Sequence, residues 1–401
     1  MQKKSVLIWL AAVALSATPL SLYAKPSHSQ VRIGFYGDTL SIPANSSCEV
    51  PFGNTISAQT IHDFYHEAAA TDYHPLVKEL LEYKRTHIAD DWLYYQLVRK
   101  TAQALSPKAD NYYRYTLYKW FLLCASGYDA TVNIVGDKLL LYVQNDEDIY
   151  DIPYFKKDGK QYICLNYHDY GYNIDFANMK QSNVAVSVPG AVAKFSYRLT
   201  QLPKFSPAEY HEKDLFFNYQ GSSYRFKIKI NDEVKLLFTN YPVADYKLYI
   251  NAPLSTETYQ SLIPQLKKQV SGLSVNNGID YLMHFTRYAF SYTKDYDNFG
   301  REKRLSPEQT LLYEKSDCED RAALFYCLVK EIYNLPMILL TYPTHVTVAV
   351  KLNKPKGQPI VYNGVTYSIC EPTPQAEDLP IGYSATELKH VPYEVAYEYK
   401  P

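Results

Sequence analysis

Hydrophobic positions in this chain follow three successive rhythms. From about Ser57 to Ser126 they recur at helical spacing, with Leu76, Leu80 and Leu81 in one run and Trp92, Tyr95, Leu97 and Val98 in the next. After a break at Pro107 comes a third run, Tyr113, Leu117, Trp120, Phe121 and Cys124. This predicts a helical unit over 57–130. Between 131 and 255 the texture changes to short alternating runs: KLLLYVQ, QYICLNYH, VAVSVPG, KFSYRLTQL, YRFKIKIN, VKLLFTNY and YKLYINAPL. Short strands at such spacing predict an antiparallel, β-sandwich-like unit. The residues before the helical unit, 25–56, read as irregular, and Pro253–Ser274 reads as a link into a last domain, 256–401. That domain mixes both periods, so the expected fold class is α+β and multidomain.

Within the last domain, Ile279, Leu282, Met283, Thr286, Ala289 and Phe290 share one helix face, and Ala322, Phe325, Val329 and Ile332 share another. Ser316 followed by Glu319 predicts a capping box, which places Cys318 at a helix N-terminus. Asn334 and Pro336 end that helix. Met337–Thr341 then reads as a buried strand, and a second strand alternates from His345 to Leu352, with the valines on one face and His345 on the other. Asn363-Gly364 predicts a hairpin whose second arm carries Tyr367, Ile369 and Glu371 on one face.

A thiol at a helix N-terminus, an imidazole opening a strand and a carboxylate closing another are the parts of a thiolate nucleophile site. The partial positive charge of the helix end favours the thiolate, while Asp317, Glu319 and Asp320 in the same turn oppose it, so a cationic partner is needed. His345 is the candidate, with Glu371 to orient its ring.

The segments DCEDRAAL, THVTVAV and CEPT, in that order, resemble the transglutaminase-like cysteine hydrolases, over roughly the last third of the chain. The resemblance implies a papain-like α+β domain, a catalytic set Cys318, His345 and Glu371, and an upstream oxyanion residue, for which Tyr292 and Gln309 are candidates and Tyr313 a rival. Glu371 stands where the family carries aspartate. The resemblance extends to a calcium-dependent bacterial subgroup with the same acidic run, which implies Ca2+ at Asp317, Glu319 and Asp320, although acidic residues in a first helical turn are also ordinary partners of the helix dipole. A peptide or side-chain amide is the implied substrate, cell-wall peptide among the possibilities. Hydrolysis by a protease or amidase is preferred over transamidation because water is the abundant acceptor. The opposing reading is an envelope binding or scaffold protein with a degenerate site.

Charge and composition narrow the partners. A formal net charge of -1 excludes the basic footprint of a nucleic-acid binder. Lys3, Lys4, an apolar run and Ala24 predict a signal peptide over 1–24, hence export to the periplasm or beyond. Nothing later predicts a transmembrane anchor. Six cysteines leave an odd number if Cys318 stays free; Cys124 and Cys327 read as core, and Cys48 with Cys164 as a conceivable pair. His62 and His66, four apart on a helix, lack a third ligand in view. The 41 tyrosines predict half-buried strands before they predict sugar or peptide binding.

Overall fold

The computed structural model describes residues 30–43, 48–184 and 186–401; the expected signal peptide lies outside them. Helices and strands are mixed, and the two larger sheets are five-stranded, antiparallel and curled into half-barrels. No helix among the described residues is long and apolar enough to cross a membrane.

The stretch expected to be irregular opens instead with a hairpin, Gln30–Phe35 against Asp38–Pro43. Its signal is a period of two, with Ile33, Phe35, Leu40 and Ile42 buried. The run read at helical spacing forms helices Ala58–Ala70, His74–Tyr83, Asp91–Leu105 and Tyr112–Ala125.

The central region departs from the sandwich. Strands Tyr154–Lys157, Lys160–Cys164, Lys138–Gln144, Ala130–Val135 and Gln181–Asn183 lie in that order in one sheet, and Tyr210–Tyr219 with Ser222–Asn231 form a separate long hairpin. Two of the expected strands are short helices. At Glu233–Leu237 the Asn231 side chain accepts the Glu233 N–H at 2.9 Å, and at Tyr246–Tyr249 Asp245 accepts the Lys247 N–H at 2.8 Å. Such caps decide between helix and strand where a short apolar run fits either. The 194–202 stretch is not a strand because side chains take its amides: Asp91 binds Ser196 N–H at 3.0 Å, Glu147 binds Tyr197 N–H at 2.8 Å and Asp90 binds Thr200 N–H at 2.8 Å. At VAVSVPG the described residues carry no strand.

The expected link holds helix Thr256–Val270, disguised by Pro264 in its interior. The long hairpin packs on it and on helix Val275–Tyr288, where the Phe217 ring lies 5.6 Å from Phe285 and 5.2 Å from Tyr281. Helix Cys318–Tyr333 is buried nearly all round in its first three turns, and Asn334 closes it at φ 50°. It rests on the second sheet, ordered Ile360–Tyr362, Val365–Cys370, His345–Val350, Met337–Tyr342 and Glu394–Tyr399. The alternation read from sequence sorts its faces: Val346, Val348 and Val350 join the main core, while Ala349, Tyr367 and Ile369 join a smaller one. That main core is continuous from Ile33 through Trp92, Leu141, Phe226 and Leu282 to Leu324.

Candidate active site

Three elements carry the candidate residues. Cys318 is the first residue of its helix, His345 opens its strand opposite Tyr342, and Glu371 follows Cys370 at the end of the neighbouring strand. The cap is displaced by one residue from the expected one: Asp317 is the N-cap, its N–H donating to Asp320 Oδ2 at 3.3 Å. Ser316 instead sits in a two-residue strand paired in parallel with Ser291–Tyr292. Starting the helix one residue later makes Cys318 its first residue instead of its second.

His345 Nε2 lies 2.8 Å from Glu371 Oε2, while Glu371 Oε1 accepts the Thr373 N–H at 2.9 Å. Both carboxylate oxygens are therefore held, and the backbone carbonyl of Glu371 accepts from buried Arg287 at 2.7 Å. Burial disfavours the charged imidazole, but the Glu371 hydrogen bond and charge outweigh it and raise the His345 pKa. With Nε2 committed, Nδ1 is the nitrogen left to exchange a proton.

The thiol has a different neighbourhood. Cys318 keeps 7% of its surface and donates to Glu319 Oε2 at 3.2 Å. Burial first, then the charges of Glu319 and Asp317, push its pKa far up, while the Val346 amide pulls it back. That amide belongs to the residue next to His345, so the sulfur lies at the mouth of the histidine strand. In this resting geometry its hydrogen-bond partner is the carboxylate and not the imidazole.

Tyr292 is brought close: it pairs with Ser316, and burial followed by the charges of Cys318 and its acidic neighbours raises its hydroxyl to about 12. Gln309 is drawn elsewhere. Its Oε1 accepts the Ser306 N–H at 3.0 Å in the capping box of helix Pro307–Leu312. Tyr313 stacks edge-on against Phe299, 5.3 Å between centroids. Arg321 ties the Cys318 helix to the end of helix Val275–Tyr288 through the carbonyls of Thr286, Arg287 and Phe290, at 2.7–3.0 Å.

Two carboxylates that sequence reasoning missed join the acidic turn. Asp295, Asp317 and Asp320 form one group with oxygens within 4.8 Å of one another, and Asp295, Glu302 and Glu319 form a second. Asp295 and Asp317 are each pushed to about 7, chiefly by burial, and Glu302 to about 7 by its hydrogen bond with Glu319. Asp317 Oδ1 is buried without a hydrogen-bond partner. Each group offers carboxylate oxygens of the kind a hard divalent cation takes, and the unpartnered Asp317 Oδ1 is one of them. Asp295 and Glu302 come from the loop after Tyr292, and their only trace in the sequence is the acidic, aromatic run DYDNFGRE.

The other cysteine expectations resolve simply. Cys124 and Cys327 are buried thiols, and Cys164 donates to Asn166 Oδ1 at 3.5 Å, so no bridge joins it to Cys48. His62 and His66 stack at 6.5 Å between ring centroids.

Compared with known proteins, the chain matches no family model, no curated protein and no solved structure. Function rests on the residues themselves.

Proposed function

We propose that this protein is a transglutaminase-like cysteine hydrolase, a protease or amidase acting on peptide or side-chain amides. The observation that carries this reading is the Glu371–His345 pair, 2.8 Å apart, at the strand mouth where Val346 faces the Cys318 sulfur. In the reaction, Nδ1 of His345 takes the thiol proton, and the thiolate forms a C–S bond to the amide carbon. His345 returns the proton to the leaving nitrogen as the C–N bond breaks. Water activated by the same imidazole then splits the thioester, giving the acid and the free thiol. Tyr292 is the candidate hydroxyl beside the developing oxyanion. An amine in place of water would make the same site a transglutaminase.

The five carboxylates fit calcium, with Asp295, Glu302, Asp317, Glu319 and Asp320 as the holding residues. When bound, the cation would supply positive charge against the carboxylates that keep the thiol protonated. Glu319, the carboxylate that accepts from the Cys318 thiol, would be one of the residues holding the ion. Isothermal titration with CaCl2 should give saturable binding that Asp295→Asn weakens at least tenfold. A heat signal unchanged in that variant would remove the metal from the proposal.

A second reading has its own support, because the thiol is 7% exposed and held by Glu319 rather than His345. In it the chain is a binding or scaffold protein of the envelope with an inert sulfur. Timed alkylation with iodoacetamide separates the two. An active site predicts labelling of Cys318 well ahead of Cys124, Cys164, Cys327 and Cys370, lost in His345→Ala. Labelling no faster than those core thiols, with and without calcium, would favour the scaffold. Export is tested independently, by N-terminal sequencing of the mature chain for cleavage after Ala24.

A further inference from the structure

A cleft away from the thiol has a volume of about 430 Å³, within the range of small-molecule sites. Helix Asp91–Leu105 contributes Gln96 and Arg99 to its lining. Phe35 and Tyr36 of the first hairpin, with Tyr115, supply aromatic surface, and Glu233 comes from the short helix after the long hairpin.

Its polar groups are incompletely matched. Arg99 Nη1 donates to Gln96 Oε1 at 2.9 Å, but among the described residues no carboxylate comes within 4.0 Å of the guanidinium. That bond turns the Gln96 amide so that Nε2 is left without an acceptor, on a residue only 9% exposed. The guanidinium also meets the Tyr115 hydroxyl, and a buried donor beside a cation that has no carboxylate partner asks for an anionic acceptor.

The surroundings keep the demand unmet. Asp169 serves Lys108 at 2.6 Å, His168 at 3.2 Å and the fully buried Lys119 at 3.9 Å. Lys119 Nζ has no hydrogen bond and lies 4.5 Å from the Tyr115 ring centroid. Of the residues that line the cleft, Arg99, Lys100 and Lys108 are cationic and Glu233 alone is anionic. Glu233 Oε2 is itself buried without a partner, an acceptor awaiting an N–H or O–H.

We propose that this cleft binds the C-terminal end of a short peptide. The terminal carboxylate meets Arg99 and Gln96, an aromatic or apolar side chain lies against Tyr36 and Tyr115, and a backbone N–H reaches Glu233. A planar carboxylate suits the adjacent guanidinium and amide donors, and the donor-hungry Glu233 selects a peptide over a simple fatty or inorganic anion. The site is independent of the thiol chemistry.

Isothermal titration of the full chain tests it with three probes: acetyl-Ala-Phe, its C-terminal amide, and phenyl phosphate. The free acid should bind saturably and the amide at least tenfold more weakly. Arg99→Gln and Gln96→Leu should each weaken the acid at least tenfold, and Arg225→Gln, at an exposed pair far along the chain, should not. The acid–amide comparison needs no variant, so a misfolded mutant leaves it intact. Equal binding of acid and amide, no saturable heat with the acid, or tighter binding of phenyl phosphate than of the acid would overturn the assignment.

Discussion

The Glu371 carboxylate serves two donors at once, His345 through Oε2 and the Thr373 amide through Oε1. This division explains how a glutamate can occupy a position where the resembled family uses aspartate: the second bond fixes the longer side chain. Glu371→Gln keeps the shape but removes the charge that favours the imidazolium. Turnover of a peptide amide should fall on the order of 10²- to 10⁴-fold, the usual worth of general acid–base assistance. Stability should respond with a defined sign. Because the folded His345 pKa is raised, the ion pair contributes fully below about 6.5, the unfolded value, and its contribution fades as pH rises through the higher folded value. Urea denaturation of wild type and Glu371→Gln should therefore differ most near pH 5.5 to 6 and converge in alkali. A gap that widens with pH would contradict the pair.

At the scale of elements, close approach matters as much as pattern. Helix Val275–Tyr288 carries Gly278 where a Cβ would come within 1.7 Å of the Tyr333 hydroxyl. Alanine gains helix propensity of about 1 kcal/mol yet must displace that ring, an overpacking cost of about 1–3 kcal/mol. Gly278→Ala should thus lower stability in chemical denaturation, and Tyr333→Ala in the same chain should make the alanine stabilising relative to glycine. Elements with strong local grammar were legible in the sequence: the Cys318 helix, the Asn363-Gly364 hairpin at φ 48° and 76°, and the alternating histidine strand. Legibility failed where side chains overruled periodicity. Asn231 and Asp245 turned apolar runs into helices, Asp90, Asp91 and Glu147 claimed the amides of an extended segment, and Pro264 hid a helix it does not break. Asp295 and Glu302 were missed for another reason, since only folding places them beside residues 17 to 25 positions later.

At the scale of the whole molecule, the regions distinguished by texture share one core, and the long Tyr210–Asn231 hairpin belongs physically to the helices that follow it. Phe217, Phe226, Tyr281 and Phe285 make a single aromatic cluster across that junction. Expression of 256–401 alone would expose it, so that fragment should bind a hydrophobic dye and lack a cooperative melt. Extension back to 205 should restore cooperativity. A sharp transition in the shorter fragment would show the hairpin to be dispensable.

The parallel pairing of Ser291–Tyr292 with Lys315–Ser316 pins both ends of the intervening segment beside the sulfur. Between those pins, Lys294 and Tyr296 face solvent while Asp295 points inward. A single tryptic nick at Lys294 would cut the carboxylates of the loop away from one of their two tethers without touching Cys318, His345 or Glu371. On the proposed reading, calcium binding should then weaken, and alkylation of Cys318 should slow with it, although the three site residues are intact.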